Sequence, residues 1–257
     1  MKRGYQNDFS LHSQVVHDHV GRRRKAATIL AVLREVVSDL AQAHVLDVGA
    51  STGAIDAELA PHCADVCGID IDAHAIAAAH QQFAAPNLHF EIGDAMALGA
   101  SDCSIDIVIC AHVYEHVPDA TRLLGEIARV LKPGGVCYFS AGNRYAWREP
   151  HYQLPLLSVV PKFIAHRYLR ALGRGDFYYE EHLSYFGLRR LVARFEVLDY
   201  TARLVDQPAH YATDYMFAPG SLRQRAAQWL VHGLPWLCPG YVWVLRKPTA
   251  YADTAPP

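Results

Sequence analysis

The sequence predicts an α/β fold in which parallel strands alternate with helices, and three observations carry that prediction. Short apolar runs of strand length recur between stretches whose apolar residues keep helical spacing. The first run continues as Val45-Leu46-Asp47-Val48-Gly49-Ala50-Ser51-Thr52-Gly53, a strand passing through a glycine-flanked turn toward a helix. The second ends on an acidic pair, Asp70 and Asp72.

The elements follow in chain order. Ile29, Leu30, Leu33, Val36, Val37 and Leu40 recur at helical spacing, which predicts a helix over 26–40 packed on the sheet before its first strand. Apolar runs then predict strands near 44–48, 65–69, 88–92, 105–111 and 135–140, with helices near 54–60, 73–84 and 119–131 between them. Pro133-Gly134-Gly135 stops the last of these helices and turns the chain into the fifth strand. After Asn143 the character shifts: Pro150, Pro155 and Pro161 break an aromatic and apolar stretch ahead of the basic segment Lys162 to Arg174, which predicts an insertion or cap. A helix near 184–194, a strand near 195–204, a variable stretch 206–239 with a helix near 221–232, and a strand from Tyr241 to Arg246 complete the pattern. The tail from Tyr251 to Pro257 is expected to fray. There are no internal repeats, and the 257 residues suit a single domain: an N-terminal helical segment 1–43, a core 44–141, a cap 142–183 and a closing part 184–250.

Composition narrows the function classes. Some 51% of residues are hydrophobic and 19% charged, enough to bury a large interior. A formal net charge of −2 gives no general attraction to phosphate backbones, so nucleic acid is not indicated. The run Arg22-Arg23-Arg24-Lys25 reads as a solvated helix start, with an anion or lipid-headgroup contact as the alternative. Six cysteines lie in or beside apolar strands without a C-x-x-C pair and read as reduced core residues. Met1 to Asp18 lacks the apolar stretch of a signal peptide, and no run is long enough to span a bilayer, so a cytoplasmic protein is expected.

Gly49 leaves room where backbone must approach a ligand, and Gly53 opens a helix whose first N–H groups face whatever binds. Asp70, 23 residues after Asp47, sits where a carboxylate takes both hydroxyls of a ribose. Together with Gly93-Asp94-Ala95 and the stretch from Asp106 through Leu131-Lys132-Pro133-Gly134-Gly135, these segments resemble the class I S-adenosylmethionine-dependent methyltransferases, especially the group that includes the ubiquinone/menaquinone-biosynthesis enzymes. The resemblance spans about residues 44–141. It implies a Rossmann-like, doubly wound seven-stranded sheet with helices on both faces, whose antiparallel last strand forms a hairpin with the sixth. It implies S-adenosyl-L-methionine as cofactor. By the same resemblance Asp47 lies near the methionine amino group, and Gly49, Ala50, Ser51 and Gly53 wrap the amino-acid part and ribose. Asp70 binds the ribose hydroxyls, Ile71 packs on adenine, Asp94 and Ala95 border the adenine amine, and Ala111 and His112 sit beside the sulfonium. Ser51 departs from the third glycine that many relatives carry there.

A sulfonium methyl is already activated, so the protein chiefly holds the acceptor in line and excludes water; for a hydroxyl acceptor a histidine removes the proton. The candidates for acceptor contact or base are His116, His151 and His182, the last two flanking the insertion. The expected reaction is methyl transfer to a small molecule, with oxygen of a lipid-linked, quinone-like or glycan acceptor preferred, selected by Asn143 to Tyr185. Leu154 to Val160 and the basic residues after it suggest a peripheral membrane contact. The alternatives are a nicotinamide-binding Rossmann oxidoreductase, whose G-x-G-x-x-G spacing this chain lacks, and a binding protein that keeps the pocket without catalysis. His112-Val113-Tyr114-Glu115-His116 also spells the H-x-x-E-H of a zinc hydrolase, but Pro118 leaves little room for the helix that signature needs, so no metal is assigned.

Overall fold

A computed structural model describes Gln6, Asn7, Ser10 and residues 18–249. The expected fraying of 251–257 lies outside the described residues. Helix α1 (His19–Val36) comes first, then β1 (His44–Val48), α2 (Ala54–Leu59), β2 (Asp65–Asp70), α3 (Ala73–Gln82), β3 (Leu88–Ile92), β4 (Ile105–Ala111), α4 (Ala120–Val130) and β5 (Leu131–Gly142). The rest of the chain forms α5 (Lys162–Ala171), α6 (Tyr185–Leu191), β6 (Glu196–Asp199), α7 (Thr201–Asp206), α8 (Leu222–Gly233) and β7 (Gly240–Arg246).

Seven strands form one sheet in the order β3-β2-β1-β4-β5-β7-β6. The first five run parallel, and β7 lies antiparallel between β5 and β6, with Phe139 opposite Trp243 and Leu198 opposite Val244. The order reverses between β1 and β4, so the crevice at their carboxyl ends is where an open α/β sheet binds ligands. Each face carries a core. Leu123, Leu124 and Ile127 of α4 pack with Phe139 and Trp243 on one face, and Ile29 and Leu33 of α1 pack with Val45, Ile107 and Tyr138 on the other. Central strands buried on both faces need near-continuous apolar runs, which Ile107, Val108, Ile109 and Cys110 supply.

Three expectations are corrected. Helix α1 begins earlier and stops earlier than 26–40, because the Asp18 side chain accepts from the Gly21 N–H and sets its start, while Val37 is already extended. The strand expected over 195–204 ends at Asp199: the Asp199 side chain accepts from the Thr201 N–H at 2.8 Å, and Tyr200, Leu204 and Val205 then share the buried side of α7. The cysteines are not all core residues, since Cys103 is exposed in a turn at φ 52°.

The segment after β5 makes a small body of its own, with Leu154, Leu157, Ala165, Leu169 and Tyr178 as its core. Buried Asn143 fixes its base. Its side-chain nitrogen donates to the carbonyls of Trp236 and Cys238 and to the Tyr241 hydroxyl, within 2.9 Å of each. No helix among the described residues is long and apolar enough to cross a membrane.

Candidate active site

The turn after β1 is stitched to the end of β2. The Gly49 and Ala50 N–H groups both donate to the Ile69 carbonyl, at 2.8 and 3.0 Å, and the Ser51 N–H donates to Asp70 Oδ2 at 2.9 Å. Two glycines answer real constraints here. A Cβ on Gly49, at φ +86°, would lie 2.6 Å from Val113 Cγ2, and one on Gly53, at φ +74°, would lie 2.4 Å from Phe90 Cζ. Ser51 holds a left-handed φ of 55° without being glycine, and its hydroxyl accepts from Arg22 at 3.3 Å. The small polar side chain thus keeps the turn while adding a contact that glycine would lack.

The two acidic residues ending β2 divide their work. Asp72 caps α3, accepting from the His74 and Ala75 N–H groups, and also accepts from the Ser10 N–H at 2.8 Å. Asp70 stays half-buried at the strand edge. Its oxygens each hold one backbone N–H, from Ser51 and Asp72, and a carboxylate retains lone pairs beyond those for a pair of hydroxyls. Ile71 is half-buried beside it. After β3, Asp94 Oδ1 accepts from the Met96 N–H at 2.8 Å and closes a turn that carries half-buried Ala95. Ala111 ends β4, and His112 follows it at φ 61°, with its N–H donating to Ser140. All the residues assigned to the cofactor therefore stand at one edge of the sheet, along the ends of β1 to β4.

Below the turn lies a buried carboxyl pair. Asp47 and Asp56 are almost inaccessible, and burial raises both, Asp56 to about 7, so the pair holds a proton. Apart from its own backbone N–H and its interaction with Asp47, Asp56 has no donor among the described residues. The Arg22 guanidinium is lowered by desolvation, while the charges of Asp47, Asp56 and Asp70 oppose that shift. A pair of carboxyls short of donors, with a guanidinium alongside, fits the ammonium and carboxylate of an amino-acid moiety. The structure therefore suits the methionine end of S-adenosylmethionine. Sequence reasoning missed both partners. Asp56 was visible as an acid in the first turn of the helix after the glycine loop, whereas the solvated reading of Arg22 does not hold.

The catalytic candidates converge on a second cluster. Residues 112–118 form a turn and not a helix. From it the His116 ring meets the His151 ring at 4.8 Å between centroids, and His151 meets His182 at 6.1 Å. Glu149, fully buried, binds His151 Nδ1 at 2.6 Å and His182 Nε2 at 3.3 Å. Glu180 lies 3.9 Å from His116 Nδ1, which also contacts Gln6 Oε1 at 2.7 Å. His112 turns instead to Glu115, at 3.2 Å.

The charges in this cluster are set by burial against pairing. Burial alone would raise the Glu115 and Glu149 carboxyls, but their histidine partners bring both down to about 2. Burial drives His116 down to about 3 against the pull of Glu115, and nearby His151 adds to the effect. For His151 desolvation is overridden by the hydrogen bond and charge of Glu149, which leave its basicity raised. Glu149 and Glu180 were not singled out from the sequence; with 30 residues between them and no motif, they are joined only by the fold.

Residues 46–139 match the family described as a methyltransferase domain. The chain is 37% identical over 103 residues to a ubiquinone biosynthesis O-methyltransferase of Coxiella burnetii, covering 39% of this chain and 44% of that protein. It is 32% identical over 149 residues to the protein of the same description in Xanthomonas oryzae pv. oryzae, covering 57% and 59%. The matches thus span about half the length of these curated relatives. Among solved structures, an S-adenosylmethionine-dependent methyltransferase of Methanosarcina mazei superposes with a TM-score of 0.55 at 19% identity, over 85% of this chain and 98% of that one.

Proposed function

We propose, from the premise that this chain carries the class I S-adenosylmethionine-dependent methyltransferase core, that it transfers a methyl group to an oxygen of a small-molecule acceptor. The observation that carries the reading is the position of Val113. Its side chain packs on Gly49 of the donor turn, while His112, Glu115 and His116 around it belong to the histidine and glutamate cluster. Donor pocket and cluster are thus neighbours across one short segment.

When bound, S-adenosylmethionine supplies the activated methyl group. The protein's part is positional and electrostatic. Asp47, Asp56 and Arg22 hold the amino-acid end, the turn from Gly49 to Gly53 cradles it, and Asp70 fixes the ribose. Ile71, Asp94 and Ala95 border the base, with Ala111 and His112 beside the sulfur. On the acceptor side His151, made more basic by Glu149, takes the hydroxyl proton, and His116 and His182 line the same cluster. The cap covers the site and excludes water.

An apolar, lipid-linked or quinone-like acceptor agrees with the cap surface and with the printed names of the curated relatives. Trp147, Phe163 and Ile164 are exposed there, with Arg167, Arg170 and Arg174 nearby in sequence, a combination suited to peripheral contact with an anionic membrane. The test is incubation of purified protein with methyl-labelled cofactor and lipid or metabolite extracts. Label in a small-molecule or lipid product supports the reading. Label confined to protein or RNA overturns it.

A further inference from the structure

We infer that the cluster beyond the donor pocket binds one divalent transition-metal ion, through His116, His151 and Glu180. The inference rests on the reading above only for the ion's place on the acceptor side of the cleft. Ligand atoms of these three residues lie within 4.8 Å of one another. A tetrahedral ion with bonds of about 2.0–2.1 Å sets its ligands roughly 3.3 Å apart, so modest side-chain movement closes the set.

Four features favour a metal over a plain hydrogen-bond network. First, Glu180 is 1% exposed and its Oε2 has no hydrogen-bond partner among the described residues, which leaves a buried acceptor unsatisfied. Second, Glu149 holds the Nδ1 of His151 at 2.6 Å and so sets the orientation of the imidazole. A carboxylate behind a ligating histidine is the usual support of such sites. Third, a second triad with the same spacing, Glu149, His151 and His182, shares His151 and braces the first from behind. Fourth, two imidazoles and a carboxylate suit zinc, cobalt, manganese or iron better than magnesium or calcium, which prefer all-oxygen sites.

The sequence motif supplies only one of these ligands. H-x-x-E-H would use His112 and His116 from one helix, but the segment is a turn, and His112 pairs with Glu115 and is not one of the three. His151 and Glu180 both come from the cap, so ligation would pin the cap to the end of β4. An ion there would bind the acceptor hydroxyl and lower its pKa, with the proton passing to solvent water in place of His151.

The test uses the full chain after treatment with chelator and dialysis, titrated separately with Zn2+, Co2+ and Mg2+. The expected result is one equivalent of Zn2+ or Co2+ bound, a Co2+ visible spectrum of mixed nitrogen and oxygen ligation, and a raised melting temperature with Zn2+ but not with Mg2+. His151→Ala and Glu180→Gln should weaken binding by about a hundredfold or more, and Glu149→Gln by roughly ten- to a hundredfold. His210→Ala, in a separate cluster on Glu35, should bind as wild type does. Should a variant fail to fold, Zn2+ protection of His116 and His151 from acylation, read by mass spectrometry on the wild type, answers the same question. Absence of a stoichiometric site, no protection at these histidines, or unaltered affinity in folded variants overturns the inference. S-adenosylmethionine binding measured on the same metal-free samples separates that failure from failure of the methyltransferase reading.

Discussion

Replacing Asp56 by asparagine should stabilise the protein without donor and weaken its grip on the donor. In the folded chain the Asp56 carboxyl sits fully buried against Asp47 and is raised from 3.8 to about 7. An acid whose folded value is raised holds its proton in the native state after the unfolded chain has released it. Stability therefore falls as pH rises from 3.8 to about 7, and the penalty is complete above that. A shift of this size corresponds to a ceiling of about 4 kcal/mol, at 1.36 kcal/mol for each pH unit. Asparagine nearly preserves the shape, cannot ionise, and offers an N–H to Asp47. At pH 8 the Asp56→Asn variant should melt several degrees above wild type, since about 1 kcal/mol moves the midpoint roughly 2–4 °C in a chain of this size. At pH 5 the gap should shrink to less than half its size at pH 8. On the reading proposed above, the same change removes a negative charge from the pair that receives the donor's ammonium and should raise its dissociation constant about 10- to 100-fold, as expected for a charged hydrogen bond of about 1.5–3 kcal/mol. The assays are differential scanning calorimetry from pH 5 to 9 and isothermal titration. A variant that melts below wild type at pH 8, or parallel pH profiles, would refute the account of this pair.

The affinity for S-adenosylmethionine in the wild type should rise between pH 6 and 7.5 as the carboxyl pair gives up its proton, with proton release visible as a dependence of the titration heat on buffer ionisation enthalpy; a flat profile counts against an ammonium bound there. Gly53→Ala places a Cβ 2.4 Å from Phe90 Cζ at φ +74°, and should cost about 2–4 kcal/mol by denaturant titration, from the left-handed backbone and the overpacking together. Asn143→Ala leaves the carbonyls of Trp236 and Cys238 without their side-chain donor and should destabilise by about 2–4 kcal/mol, with acceptor KM rising more than donor affinity falls. Equal effects on both ligands would show that the cap base does not act mainly on the acceptor side.

The parallel half of the sheet was legible because buried central strands write themselves as unbroken apolar runs. The expected spans 44–48, 88–92 and 105–111 coincide with β1, β3 and β4. The glycine turn was legible for a related reason, since a left-handed backbone and close packing restrict which residues fit. What was lost lay where one signal was read with the wrong period. Over 195–204 the apolar residues look like a strand continuing, yet Asp199 and Thr201 form a cap that switches the chain to helical spacing. Arg22 looked like one more charge on a solvated run, and only the fold turns it toward three carboxylates. The same holds for Glu149 and Glu180, whose importance depends on a cap folding back against the turn after β4.

The central claim is that the crevice at the ends of β1, β2 and β4 receives S-adenosylmethionine. Calorimetric titration of the purified chain with S-adenosylmethionine and, separately, NAD tests it most directly, with Asp70→Ala alongside. The account expects one molecule of S-adenosylmethionine bound per chain, an affinity roughly 10- to 100-fold weaker in the variant as a carboxylate–ribose contact is lost, and no heat with NAD. Saturable binding of NAD with none of S-adenosylmethionine would contradict it.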